Sequence, residues 1–233
     1  MAKPTTPENR KFPVRPRDAS SVVVLRGSRD DPDVLLGRRR RDARFMPGIY
    51  VFPGSRVDRG DASQAASWDL RDDVLANLSR HCPPRRARAL AWAAIRETWQ
   101  ETGLLIATHG RIADAGRSPL HAAYAAANLA PHAGGLDYIF RAITPASSPI
   151  RFNTRFFLAD AKSTQGQLRR SDELEDIGWR PVSEAINDLD LRGVTRMALG
   201  EATALWRDEP PHDPSRRVKR LTNREKLSLV TYE

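Results

Sequence analysis

The segment ALAWAAIRETWQETGLL, residues 89–105, constrains this chain more than any other. It contains no proline, and its apolar residues follow a helical period. At 100° per residue, Ala91, Trp92, Ile95, Thr98 and Trp99 share one broad face, while Glu97, Gln100 and Glu101 lie on the opposite one. The pattern predicts a helix from about Arg86 to Thr102, stopped by Gly103. Its apolar side must pack on other elements and its acidic side is presented outward. Spacing alone leaves two roles open for Glu97 and Glu101: a solvated helix face with Arg96 as countercharge, or ligands for a metal ion.

The rest of the chain alternates strand and helix signals. SSVVVLRG (20–27) and DVLLGRR (33–39), joined by the turn residues GSRDDPD, predict a hairpin. GIYVFPGSRVD (48–58) reads as a strand broken at Pro53-Gly54. WDLRDDVLANLSRH suits a short helix ended by Pro83-Pro84. LLIA (104–107), YIFRAIT and RFNTRFFLAD read as strands, and HAAYAAANLA (121–130) and VTRMALGEATALWRD (194–208) as helices. IGWRPVSEAI is a strand running into a helix start. Mixed strands with interspersed helices indicate an α/β or α+β domain. Residues 1–17 are polar and Pro-rich, as in a flexible arm.

Composition excludes several classes. With 233 residues, 40% of them hydrophobic, the chain can bury a core, yet no apolar run approaches a membrane span. The single Cys82 permits no internal disulfide and fits a reducing cytosol, hence a cytoplasmic location. The net charge of +9 comes mostly from arginine. Coding bias explains it more readily than nucleic acid, which is disfavoured as a partner. The run GRRRRDAR (37–44) suits phosphate binding and a solvated hairpin equally. His81, His109, His121, His132 and His212 lack the spacing of a zinc motif, and there is no P-loop or nucleophile elbow. Tyr50, Phe45, Trp68 and Trp179 are available for base stacking, although packing is their commoner use.

RETWQETGL (96–104) resembles the second half of the Nudix box, Arg-Glu-U-X-Glu-Glu-X-Gly-U with U aliphatic. FPGSRVDRGD (52–61) resembles the first half, with Ser55 at the family's glycine and Asp61 at its glutamate. Asp61 and Arg96 are 35 positions apart, so about 27 residues are inserted within the box. A box split in this way resembles the branch containing peroxisomal coenzyme A diphosphatases and their bacterial relatives. LLGRRRRDARFMPGIYVFPGS matches the spacing of that branch's coenzyme A signature through its two leucines, Arg44, Gly48 and Phe52-Pro53-Gly54. The match is partial at Gly37, Arg39 and Arg40. ITPASSPIRFNTRFFLA (143–159) resembles a further segment of the same branch.

The resemblance implies a Nudix-type α/β/α sandwich of the α/β (α+β) class, with a mixed sheet, spanning 18–233, and a surface insertion at 62–86 near the rim of the active site. It implies a diphosphatase using Mg²⁺ or Mn²⁺, hard cations that prefer oxygen ligands. The implied metal ligands are Glu97, Glu101, Gln100 and the Gly54 carbonyl, with Arg96 orienting a glutamate by a bidentate contact. Glu97, Glu101 and Arg96 carry the catalysis, and Arg44, Phe52 and Arg155 contact substrate. That substrate is a small-molecule nucleoside diphosphate derivative, with coenzyme A or an acyl derivative leading; no membrane is involved, and a homodimer is left open. Two positions depart from the family. Gln100 replaces a glutamate and brings no net charge to the ion. Ser55 puts a side chain where close backbone approach is usual. Glu173 and Glu175 are candidates for a compensating acid, or members of a solvated loop. A non-catalytic nucleotide-binding or regulatory module on the same fold is the alternative, and an RNA-associated protein is a third reading.

Overall fold

The computed structural model describes residues 14–43, 45–65, 68–210, 212–224 and 227–233. Residues 1–13 of the expected arm lie outside the described residues, and Arg17 already belongs to a strand. In chain order, β1 (Arg17–Gly27), β2 (Pro32–Arg39), β3 (Tyr50–Val51) and β4 (Gly54–Arg56) precede α1 (Asp61–Gln64), α2 (Asp72–Ser79) and α3 (Pro84–Thr102). Next come β5 (Leu105–His109), α4 (Pro119–Ala126), β6 (Leu129–Pro131), β7 (Leu136–Ile143), β8 (Phe152–Asp160), β9 (Thr164–Gln165) and β10 (Leu174–Pro181). The order closes with α5 (Val182–Asp188), α6 (Gly193–Asp208), β11 (Lys219–Arg224) and β12 (Leu227–Tyr232).

The main sheet runs β10-β2-β1-β8-β7-β11-β12, with β3 beside β2 and β4 beside β1. It is mixed: β1 is parallel to β8 and β11 to β7, while the other pairs are antiparallel. Residues Ala19–Leu25 of β1 are all buried because helices cover both faces of the strand. The two-residue alternation sorts them. Val22 and Val24 join Leu90 and Ile95 of α3, while Val23 and Leu25 join Leu199, Ala202 and Trp206 of α6. This is the expected helix–sheet–helix α+β architecture, with a helical insertion. Among the described residues, no helix is long and apolar enough to cross a membrane.

Helix α3 starts on Pro84, whose fixed φ suits a first helical position. It ends at Gly103, which is left-handed at φ +81 and donates its N–H to Trp99 O at 2.8 Å. A Cβ on Gly103 would stand 2.7 Å from the Gln167 carbonyl, so that position needs glycine twice over. The acidic side of α3 is not presented outward, which corrects the sequence expectation. Glu97 and Glu101 are 5% and 3% exposed. The period identifies which residues share a face, but β4 and α1 close over that face.

The segment between the two halves of the box also differs from expectation. Asp61, the last residue before it, binds Arg96 beside the acids. The segment is not merely a surface excursion, because Leu70, Val74 and Leu78 enter the α3-side core. Trp68 stacks on Trp92 at 6.3 Å, so its ring packs and is not offered to a base. The expected helix at 121–130 stops earlier, at Ala126; Asn128 turns left-handed and the chain enters β6. The β11–β12 hairpin lies in a stretch for which the sequence suggested no element.

Candidate active site

The site is built where the end of α3 meets β4. Gly54 lets the two approach. Its φ is +154, and a Cβ there would lie 2.4 Å from Ser20 O and 2.5 Å from Ser21 Cα, both on β1. The close approach expected at Ser55 therefore occurs one residue earlier, and Ser55 instead lines a cavity. The Gly54 N–H donates to Glu101 Oε2 at 2.8 Å. Ser21 Oγ and Val22 N both donate to Pro53 O and fix the loop to β1.

Arg96 is the hub of the site. Its Nε and Nη2 donate to the two oxygens of Asp61 at 2.9 and 3.0 Å, a bidentate pair between groups far apart in sequence. Its Nη1 donates to Glu97 Oε1 at 2.6 Å and to Gln100 Oε1 at 2.9 Å. The expected bidentate contact thus goes to Asp61, and the contact to Glu97 is single. Gln100, whose amide oxygen the resemblance assigns to a metal ion, accepts from Arg96 as Glu97 does.

Burial sets the charge balance. It pushes the Glu97 carboxyl up to about 7, although the Arg96 guanidinium pulls the other way. Glu101 is raised well above the usual carboxylate range, first by burial and then by the charge of Glu97, against the Gly54 N–H. Burial also opposes the charge on Arg96, but the Asp61 hydrogen bonds and the field of Glu97 outweigh it and raise its pKa. The negative charge of Glu173 acts on both Glu97 and Glu101, whereas Glu175 is paired with Arg38 at 3.5 Å.

A cavity of about 270 Å³ adjoins this cluster and shares Gly54 with it. Phe45, Met46, Phe52, Phe152 and Phe156 give it a largely apolar lining, with Arg39 as the charged residue among the described ones. Phe45 and Phe152 meet edge to face at 5.2 Å. Arg39 was not singled out from the run of arginines. The signal was the alternation of the strand: Arg38 pairs with Glu175 and Arg40 with Asp42, while Arg39 lines the cavity. Its Nε is buried without a hydrogen-bond partner among the described residues, and its charge reaches Glu101.

The residues expected to contact substrate divide. Phe52 lines the cavity. Arg44 lies outside the described residues. Arg155 is a correction: it is 2% exposed and its Nη1 donates to Asp18 Oδ1 at 2.8 Å, with Arg86 of α3 on the same carboxylate. Alternation along β8 puts Thr154 and Phe156 on the cavity and Arg155 on the other face, at the start of α3. The acids stand near the other end of that helix, about 20 Å along it. Arg155→Leu is therefore expected to destabilise the fold by about 1–3 kcal/mol through loss of the Asp18 pair. The KM for any substrate should stay within about twofold. Thermal unfolding and steady-state kinetics on the variant check both expectations.

Among the described residues, Asp73, Asp137 and His212 bring ligating atoms within 4.8 Å of one another. Sequence spacing gave no hint of this cluster, because its members lie far apart in the chain. Arg71 already holds both carboxylates.

The solved structure of a Nudix hydrolase from Alicyclobacillus acidocaldarius is 30% identical to this chain. The two superpose over 84% of this chain and 94% of that one, with a TM-score of 0.62. A Caenorhabditis elegans protein named nudix hydrolase 7 is 24% identical over 182 residues. That match covers 74% of this chain and 54% of the relative, so the chain spans about half its length. No family model matches the sequence.

Proposed function

The chain belongs to the Nudix hydrolase family, and from that premise we propose that it is a metal-dependent diphosphatase working at Glu97 and Glu101. Its substrate is a nucleoside diphosphate joined to a second moiety, with coenzyme A or an acyl derivative first among the candidates. The observation that carries this reading is the pair of buried carboxylates four residues apart on α3. Arg96 reaches Glu97, but Glu101 accepts only the Gly54 N–H among the described residues. Two hard oxygen donors with surplus buried negative charge fit Mg²⁺ or Mn²⁺.

In this reading Glu97, Glu101 and the Gly54 carbonyl hold the ion. When bound, the ion screens the phosphate oxygens and stabilises charge on the attacking and leaving oxygens. Arg96, tied to Asp61, keeps Glu97 in one rotamer. Arg39, the charged residue of the cavity lining among the described ones, is the candidate for contact with the diphosphate. The cavity receives the uncharged end of the substrate. Its aromatic and aliphatic walls suit a base or an acyl chain.

The test is a hydrolysis screen with Mg²⁺ and with Mn²⁺ over coenzyme A, acyl-coenzyme A, ADP-ribose, dinucleotides and nucleotide sugars, in water enriched in ¹⁸O. The expected result is two phosphate monoesters per substrate, one carrying the heavy oxygen. A second reading, nucleotide binding without turnover, is favoured by Gln100, which stands where the family pattern has a glutamate and leaves the ion one carboxylate fewer. It becomes the better account if nucleoside diphosphates bind and none is cleaved.

A further inference from the structure

Gln100 departs from the box pattern, and the structure fixes which way its amide turns. A guanidinium carries only donors, so the amide oxygen must face Arg96, as it does at 2.9 Å. The amide nitrogen then points away, with two N–H groups and no hydrogen-bond partner among the described residues. Gln100 is exposed, whereas Glu97, three residues earlier, and Glu101, its neighbour, are buried. Residues three apart on a helix share a face, so the amide sits on the rim above the acids.

An N–H cannot ligate a hard cation, but it does donate to an anionic oxygen. We propose that Gln100 is a substrate-binding residue, donating its side-chain N–H to a diphosphate oxygen, and that it lies outside the coordination shell of the ion. This inference rests on the diphosphatase reading of the same site. It follows that, of the three side chains at 97, 100 and 101, Glu97 and Glu101 would be the ones to hold an ion. Arg96 then acts twice, fixing Glu97 and setting the orientation of the amide that meets the substrate.

Calorimetric titration of Mn²⁺, and separately of imidodiphosphate at saturating Mg²⁺, into wild type, Gln100→Ala and Gln100→Glu tests the assignment. The position is exposed and helical, so both variants should fold; thermal unfolding verifies this. Gln100→Ala is expected to keep the Mn²⁺ Kd within about twofold and to weaken imidodiphosphate about five- to tenfold, the loss of one hydrogen bond to an anion. Gln100→Glu is expected to weaken imidodiphosphate at least as much as Gln100→Ala, since a carboxylate has no N–H to donate and repels an anion. A fivefold or greater loss of Mn²⁺ affinity in Gln100→Ala would make the amide a ligand and overturn the proposal. So would imidodiphosphate binding that is unchanged in Gln100→Ala, or as tight in Gln100→Glu as in wild type. If wild type itself binds no Mn²⁺ at millimolar concentration, the metal-dependent reading of the site falls, and this inference falls with it.

Discussion

Glu97→Gln and Glu101→Gln are each expected to lower hydrolysis by at least about 100-fold with the fold preserved. Both substitutions keep size and hydrogen-bonding capacity and remove one negative charge. A neutral oxygen at Glu101 can still accept from the Gly54 N–H, now at 2.8 Å, so β4 stays in place. At Glu97 the oxygen can still accept from Arg96. Removing the Glu101 charge relieves repulsion with Glu97, so Glu101→Gln should unfold at or above the wild-type temperature, while Glu97→Gln also gives up its ion pair with Arg96 and should fall slightly below it. Steady-state rates at saturating Mg²⁺, set beside thermal unfolding curves, separate the two effects. Near-normal turnover in both purified variants would remove the acids from the reaction. A collapse in stability would show that they act on the fold instead.

Gly54→Ala is expected to destabilise the protein by about 3 kcal/mol and to abolish most activity. The new methyl would meet Ser20 O at 2.4 Å and Ser21 Cα at 2.5 Å. Both atoms are backbone of β1, which is paired to β2, β4 and β8 and covered by helices on two faces. Such a strand cannot step aside, so β4 must move and take its N–H from Glu101. For a chain of this size, about 3 kcal/mol lowers Tm by about 6–12 °C. Gly116→Ala is the control, since nothing lies within 4 Å of its added Cβ; it should change stability by less than about 0.5 kcal/mol. A Gly54→Ala protein with wild-type Tm would show that β4 is free to shift, and that the glycine has another purpose.

Much of the fold is legible in the sequence. The apolar period of 89–105 locates α3, Gly103 its end, and the GSRDDPD turn the first hairpin, because each is a local rule of backbone geometry or of side-chain periodicity. The grouping of Glu97 with Glu101 is likewise local, since four residues of helix bring two side chains onto one face. By its sequence alone, the chain determined which residues share a face, where the helices and most strands lie, and that a pair of acids would stand together.

Only the tertiary structure decided what those faces meet. Whether the acidic side of α3 looks at water or at protein depends on β4 and α1 closing over it, and helical period carries no such information. Arg155 and Phe52 looked alike as substrate contacts, yet alternation along β8 puts Arg155 on Asp18, while Phe52, between β3 and β4, lines the cavity. Arg96 meets Asp61 across 35 positions of chain, and the ion pair forms only because the intervening segment folds back into the core through Leu70, Val74 and Leu78. The orientation of the Gln100 amide follows from that same guanidinium. Periodicity is set by neighbours in the chain, whereas burial, pairing and the choice of hydrogen-bond partner are set by neighbours in space.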